Sequence, residues 1–374
     1  MSHSKPPIIW LNVFIFLSSF LIACVFVPWF GLTQGFGAEH LIWLVISFSF
    51  CNLSITAGYH RLWSHKTYEA HWSIRLIFAI GGAFALQNSV LHWSSDHRIH
   101  HKHVDHIDKD PYAATRGFWF SHIGWMLRNY ETNPIKEYSN CRDLKRDSIV
   151  IWQHKNYLWL ALATNLGFPM LLGLIYDDIL SMFLIVGAFR LVLSHHSTFF
   201  INSLAHIWGS QPYTDKNSAR DNTLLSIFTF GEGYHNYHHI FENDYRNGIY
   251  WWQYDPTKWL IKTMSWLGLA NKLKVTSKFK IEKAKAEQLL INTKKKVMQL
   301  PNSESIQNTL NTELEALIEK MREFYDVRRE VLSIKAKDLN SKYERSILEL
   351  KYRVAKKEFV VQKKNWQKLN LQYT

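Results

Sequence analysis

The stretch Ile8-Ile-Trp-Leu-Asn-Val-Phe-Ile-Phe-Leu17 opens a run, Pro6 to Ala38, that contains no charged side chain. Its apolar core continues to Trp29-Phe30 and exceeds the roughly 20 residues needed to cross a bilayer. The run is longer than a signal-peptide core and lacks a small-residue cleavage pattern, so it reads as a retained span. Leu41 to Tyr59, Tyr157 to Tyr176 and Ile179 to Ile201 read as three more, the last carrying one charge, Arg190. Four transmembrane helices define an all-α integral membrane protein. A fifth apolar piece, Ile74 to Val90 with Gly81-Gly82 inside it, is expected to dip into the membrane without crossing, for a reason that lies in the histidines.

Eight histidines fall in three tight clusters, His60-Arg-Leu-Trp-Ser-His65, His97-Arg-Ile-His100-His101 and His235-Asn-Tyr-His238-His239. Neutral imidazole is the commonest metal ligand, whereas crowded imidazolium ions repel, so this density points to metal. A single crossing between the first two clusters would place them on opposite sides of the membrane, which a shared site forbids. In the second and third clusters the i, i+3, i+4 spacing puts three imidazoles on one helix face. The i, i+5 spacing of His60 and His65 does not suit a regular helix, so a distortion or helix end is expected between them. Asn202 and His206, four apart after the fourth span, form another one-face pair, and His206 counts as a ninth candidate ligand. Nine imidazoles exceed the four to six ligands usual for one metal, which implies two. An all-nitrogen set with no hydrolytic carboxylate suits iron activating dioxygen near an apolar substrate better than a zinc hydrolase. Asp96, Asp105, Asp110 and Glu232 are candidates to accept ring N–H bonds and fix the tautomers.

The charge is unevenly distributed. Asn271 to Thr374 carries 24 Lys and Arg against 13 Asp and Glu, so this tail supplies +11 of the net +13 and contains no histidine or cysteine. The expected division is therefore 1–270 for the membrane domain and 271–374 for a basic helical extension. Leu310, Leu314, Leu317, Met321 and Phe324 recur at 4-3-4-3 spacing, a seam that continues less regularly through Val331, Ile334 and Leu350, with Pro301 separating a short basic helix from a longer one. A coiled coil, which could join copies of the chain into a homo-oligomer, or a docked helix is expected, and the basic excess could attract anionic lipid; nothing beyond charge suggests nucleic acid. Lys and Arg crowd the cluster-bearing segments (Arg61, Lys66, Arg75, Arg98, Arg128), while the links Gly31 to His40 and Asp177-Asp178 have none. The positive-inside rule then puts the termini and all three clusters in the cytosol. A bacterial inner membrane is preferred to the endoplasmic reticulum as the setting. Cys24, Cys51 and Cys141 lack metal or redox spacing and read as packing residues.

The boxes as they stand, His60-Arg-Leu-Trp-Ser-His65, Asp96-His97-Arg-Ile-His100-His101-Lys and Gly231-Glu-Gly-Tyr-His235-Asn-Tyr-His238-His239, with Asn202-Ser-Leu-Ala-His206, resemble the integral-membrane acyl-CoA desaturases of the stearoyl-CoA type, from about Pro6 to about Leu269. The resemblance implies a histidine-rich diiron cap. In it His60, His65, His97, His101 and His239 would hold one iron; His100, His206, His235 and His238 would hold the other, with Asn202 acting through a water. It also implies that Asn12, Gln87-Asn88, Asp96 and Phe199 stand where the family touches coenzyme A or the acyl chain. Ser95, Phe199 and Arg128-Asn129 depart from the animal pattern, so the carrier is open among coenzyme A, acyl carrier protein and a phospholipid. The implied reaction is dioxygen-dependent insertion of a cis double bond, at the ninth carbon, into a saturated acyl chain held in a bent tunnel near Phe48 and Asn52. Asn52 would otherwise serve an interhelical hydrogen bond. Two electrons must come from an external reductase with a ferredoxin-like or cytochrome-type carrier, because the chain has no nucleotide, haem or iron–sulfur motif. Two competing functions are a membrane diiron hydroxylase and a metal-storage or transport protein.

Overall fold

The computed structural model describes residues 6–130, 136–335 and 342–373. They pack as two units, one comprising residues 1–211 and 216–275, the other 212–215 and 276–374.

In the first unit four helices are long and apolar enough to span a membrane: Trp10–Thr33, Ala38–Ser64, Tyr157–Ile175 and Ile179–His206. Their outer faces carry exposed apolar side chains such as Phe14, Leu32, Val45 and Leu174, the surface that lipid would cover. The helix Trp72–Phe84 has 13 residues, about 20 Å of rise, too short for the roughly 30 Å hydrocarbon layer. It lies against the second span, where a Cβ on Gly82 would fall 2.1 Å from the Tyr59 ring. The piece expected to dip without crossing, Ile74 to Val90, covers most of this helix and the turn that leads to the next, which begins at Val90. At one end of the bundle His40 Nε2 lies 3.2 Å from Asp178 and Trp43 donates to the Tyr176 hydroxyl, which joins the two short links. At the other end Arg128 donates to the Pro6 carbonyl and Ile9 N–H to Leu127, on the side that holds the histidine clusters. Arg190 in the fourth span is fully buried and satisfied by the carbonyls of Val186 and Phe84 and by Asn165 Oδ1.

Each span contains a stretch of i→i+5 winding, the longest being Ser54–Ser64 in the second. Such widened turns bring residues five apart into register and are frequent at functional sites. Here the i→i+5 bond from His65 N–H to the His60 carbonyl closes the segment at 3.1 Å. The distortion expected from the sequence is this whole segment, and the span runs on to Ser64. The strands Glu69–Ala70 and Ala270–Asn271 pair antiparallel, which holds the residues just after 270 within the first unit. Cys51 and Cys141 are buried, Cys24 is exposed, and all three are free thiols.

The second unit is a helical bundle of Lys278–Val297, Ser303–Lys335 and Lys342–Leu371. Ser303–Lys335 and Lys342–Leu371 run antiparallel, as Glu313 meets Gln362, Lys320 meets Glu358 and the Phe324 ring stacks 5.3 Å from Phe359. The predicted seam residues Leu310, Leu314, Leu317, Met321 and Phe324 are all buried, against Ala355, Phe359 and Trp366 of the same chain. The seam is thus covered within the chain. Leu350 does not extend it: this side chain is 62% exposed, because Leu348 turns inward in its place. The side chain of Ile334 lies outside the described residues.

Candidate metal centre

The second box occupies the helix Val90–His103, started by Ser89 Oγ accepting the His92 N–H. The third lies on Pro-free His235–Ile240, whose Tyr237 N–H is received by the carboxylate of Asp221, a cap supplied from outside the helix. Asp221 also bridges Ser210 and Tyr234, which draws the His206 turn alongside the third box. Gly231, at φ +99°, precedes Glu232; a Cβ there would meet Asp255 Oδ1 at 2.5 Å, so only glycine lets Glu232 reach under the site.

The nine histidines gather into two sets, His60, His65, His97, His101 and His238 in one, His100, His206, His235 and His239 in the other, with ligand atoms in each within 4.8 Å of one another. All nine predicted imidazoles are brought together. The division between the sets corrects the one implied by resemblance, since His238 and His239 exchange places. Helix geometry is the reason. His97 and His101, four apart, share a face, as do His235 and His239; the intervening His100 and His238 each turn to the other set. Each helix therefore gives a pair to one set and a single imidazole to its neighbour.

The Nε2 atoms face inward. His60 lies 3.0 Å from His238, His238 3.0 Å from His101 and His65 2.8 Å from His97; in the other set His206 and His239 lie 3.1 and 3.0 Å from His235. Ligands about 2.1 Å from a metal and at right angles to each other stand about 3.0 Å apart, so the spacing fits a cation at each centre. Five of the outward Nδ1 atoms are engaged, whereas that of His235 is buried without a hydrogen-bond partner among the described residues. His60 meets Glu232 at 2.9 Å, His100 meets Asp110 at 2.9 Å, His101 meets Glu242 at 3.2 Å and His97 meets the Tyr112 hydroxyl at 3.3 Å. His206 Nδ1 meets Ser218 Oγ at 2.7 Å, and Asp105 accepts from that serine's hydroxyl and backbone N–H. A carboxylate on Nδ1 favours the Nδ1–H tautomer and aims the Nε2 lone pair at the centre.

Electrostatics supports neutral ligands. Burial first, then the neighbouring imidazoles, push His65, His97, His235, His238 and His239 well below the ordinary histidine range. Burial lowers His101 to about 4 against the opposing pull of Glu242. Burial alone would raise the Glu232 carboxyl, but His60 and Arg61 outweigh it and hold it at about 2. Arg61, itself buried, also pairs with Asp255 at 3.0 Å.

Of the carboxylates expected to fix the tautomers, Asp110 and Glu232 touch ring nitrogens directly and Asp105 acts through Ser218. Asp96 instead meets His92 Nε2 at 3.3 Å. Sequence reasoning missed Glu242, which lies three residues past His239, and Ser218, Tyr112 and Asp255, for which no spacing signal exists. Among the expected substrate residues, Asn12 Nδ2 donates to the Met126 carbonyl, Asn88 Oδ1 accepts from Ser89 N–H, and Phe199 is buried with His195 stacked 5.4 Å away. Gln87 links Thr198 to Trp93. Asn202 is half-buried on the last turn before His206. Phe48 packs edge-on against Phe230 at 5.6 Å. The Asn52 amide donates to the Phe48 carbonyl one turn back, within its own span, rather than to another helix among the described residues.

Residues 38–265 match the family model described as fatty acid desaturase. The acyl-CoA desaturase 1 of Saccharomyces cerevisiae is 42% identical over 293 residues, covering 76% of this chain and 56% of the yeast protein. Stearoyl-CoA desaturase 5 of Bos taurus is 35% identical over 286 residues, 75% of this chain and 84% of that protein. The sn-2 palmitoyl-lipid 9-desaturase of a Nostoc species is 36% identical over 276 residues, 72% of this chain and 92% of that protein. The chain spans little more than half the length of the yeast relative. With four apolar spans, nine imidazoles converging at one end of them and this match over most of the first unit, the chain is a multi-pass membrane protein that belongs to the fatty acid desaturase family.

Proposed function

We propose that this chain is a dioxygen-dependent fatty acyl desaturase that inserts a cis double bond at the ninth carbon of a saturated acyl thioester. The observation that carries the reading is the pair of histidine sets, each shaped for a metal, at one end of a bundle of lipid-facing spans. The balanced reaction joins two adjacent methylenes, one O2, two electrons and two protons to give the alkene and two waters. Iron, one ion per histidine set, would supply the dioxygen and redox chemistry when bound. His60, His65, His97, His101 and His238 would hold the first ion, and His100, His206, His235 and His239 the second, with Asn202 acting through a water.

The protein's own part is placement. Unactivated C–H bonds offer no acid–base handle, so selectivity comes from holding one pair of methylenes at the centre and excluding water. Glu232, Asp110, Glu242 and the Asp105–Ser218 pair keep the Nδ1 protons outward. Asn12, Asn88, Asp96 and Phe199 are the proposed substrate contacts. Acyl-CoA is the proposed carrier, in line with the names of the yeast and bovine relatives; the Nostoc name specifies a lipid-bound chain. The electrons come from an external reductase and carrier. Residues 1–270 form the proposed desaturase domain and 271–374 the helical extension, with termini and metal centre on the cytosolic side. A bacterial inner membrane finds no particular support in relatives drawn from yeasts, animals and Nostoc. Transport is disfavoured because Arg190, the one charge deep in the fourth span, is committed to carbonyls and Asn165.

Expression in cells lacking their own desaturase, followed by mass spectrometry of the lipids, tests the reading. Monounsaturated chains with the double bond at carbon nine are expected. Hydroxylated chains, or no change with an iron-loaded protein, would overturn it.

A further inference from the structure

The helix Lys342–Leu371 has two apolar faces, and the bundle uses only one. Leu348, Ala355, Phe359 and Trp366 are buried against the other helices. Ile347, Leu350, Val354 and Val361 fall on a second stripe at 3-4-7 spacing and are 40%, 62%, 49% and 49% exposed. The remaining positions of that heptad pattern are Lys357, between Val354 and Val361, and then Lys364 and Lys368, all exposed. Arg353 lies beside the stripe on the same side as Lys357 and Lys364.

Two occupants could cover such a stripe, and the lysines choose between them. A second copy packed face to face would bury the lysines of both chains in the seam, where like charges repel and no carboxylate occupies the stripe, the flanking Glu358 being already paired with Lys320. An anionic bilayer surface suits the same pattern. Ile347, Leu350, Val354 and Val361 would enter the headgroup boundary, while the lysine stems lie along it and their ammonium groups reach phosphate and carboxylate. The chain's own spans keep headgroups at high effective concentration. We propose that the Ile347–Lys368 face of this helix is a docking surface for anionic lipid headgroups, which makes the tail a sensor of membrane charge.

The test uses full-length protein in nanodiscs, one copy per disc, of phosphatidylcholine alone or with about 30% phosphatidylserine, read by hydrogen exchange across residues 345–368. A basic side chain near an anionic surface contributes about fivefold in binding, so three lysines supply on the order of a hundredfold. Exchange should slow at least about tenfold in the anionic discs, and high salt should reverse the slowing. The triple variant Lys357→Glu, Lys364→Glu, Lys368→Glu, all at exposed positions, should lose the slowing while exchange in Ser303–Lys335 stays unchanged. Leu350→Asp should weaken it in anionic discs as well. Equal exchange in both lipid compositions would overturn the proposal. So would slowing that survives the triple variant, or slowing that requires two copies per disc, which would assign the face to a second chain.

Discussion

Replacing Glu232 by glutamine should strip metal from the site without unfolding the membrane bundle. One oxygen of the buried carboxylate receives Arg61 at 2.8 and 3.2 Å, and the other faces His60 Nδ1 at 2.9 Å and Asn247 Nδ2 at 2.7 Å. In Glu232→Gln the amide oxygen will stay with the arginine, whose charge prefers it, and the NH2 group will then oppose two donors. His60 relieves that clash by moving its proton to Nε2, the nitrogen that faces the centre. A protonated Nε2 cannot ligate. Loss of a partner that orients a ligand typically costs 10 to 100-fold in metal affinity, about 1.4–2.7 kcal/mol. The assay is iron content after chelator competition, with the thermal midpoint measured alongside, because Arg61 retains Asp255 and the fold should survive. Glu242→Gln, at a half-exposed carboxylate, should cost less. Wild-type iron affinity in the Glu232→Gln protein would refute the tautomer argument.

His60→Ala, His100→Ala and His238→Ala should each abolish unsaturation while leaving membrane insertion intact, and His238→Ala should perturb the environment of the His60 set while His239→Ala perturbs that of the His206 set, as Mössbauer spectra would resolve. The metal-free protein should lose stability as pH falls from 6.5 toward 4: the folded state holds His101 at about 4 and His65, His97, His235, His238 and His239 well below the ordinary range, so only the unfolded chain gains those protons in this window, and His101→Gln should reduce the slope by one proton's share in a thermal-unfolding series. Below 4.5 the Glu232 carboxylate, held at about 2, should add a second loss. Leu317→Ala, at a residue 1% exposed in the tail bundle, should cost about 2–5 kcal/mol of that bundle's stability and leave iron content unchanged. Truncation after Val275, which preserves the Ala270–Asn271 strand, should retain desaturation with an artificial reductant; loss of activity at normal iron content would place the tail inside the catalytic unit.

The spans were legible because lipid exposure demands uninterrupted apolar side chains, and the site because nine imidazoles at helical spacings have few other uses. The second span runs five residues past Tyr59 because His60, Arg61 and Ser64 lie on its widened winding, where His60 joins a histidine set, Arg61 pairs with Glu232 and Asp255, and Ser64 donates to the Tyr59 carbonyl, so none needs to face lipid. The exchange of His238 and His239 was not legible, since it depends on how far a six-residue helix is rotated about its axis. Ser218, Tyr112 and Asp255 reach the site by tertiary closure alone. Leu350 fits the spacing of the tail seam yet belongs to the opposite face, a distinction that only the packing of Leu348 and Phe359 decides.

Because each of the two histidine helices feeds both sets, neither set is complete until the third box has been made. His60 precedes His239 by about 180 residues, and a ribosome adding about 5–20 residues per second needs roughly 10–40 seconds to bridge them. All four spans and the first two boxes are made before that interval ends, and those boxes wait with their lone pairs unmatched until the third follows. Completion of either metal site therefore follows synthesis of the third box, and a ribosome that stalls before residue 235 leaves a chain whose spans are made yet has no complete metal site.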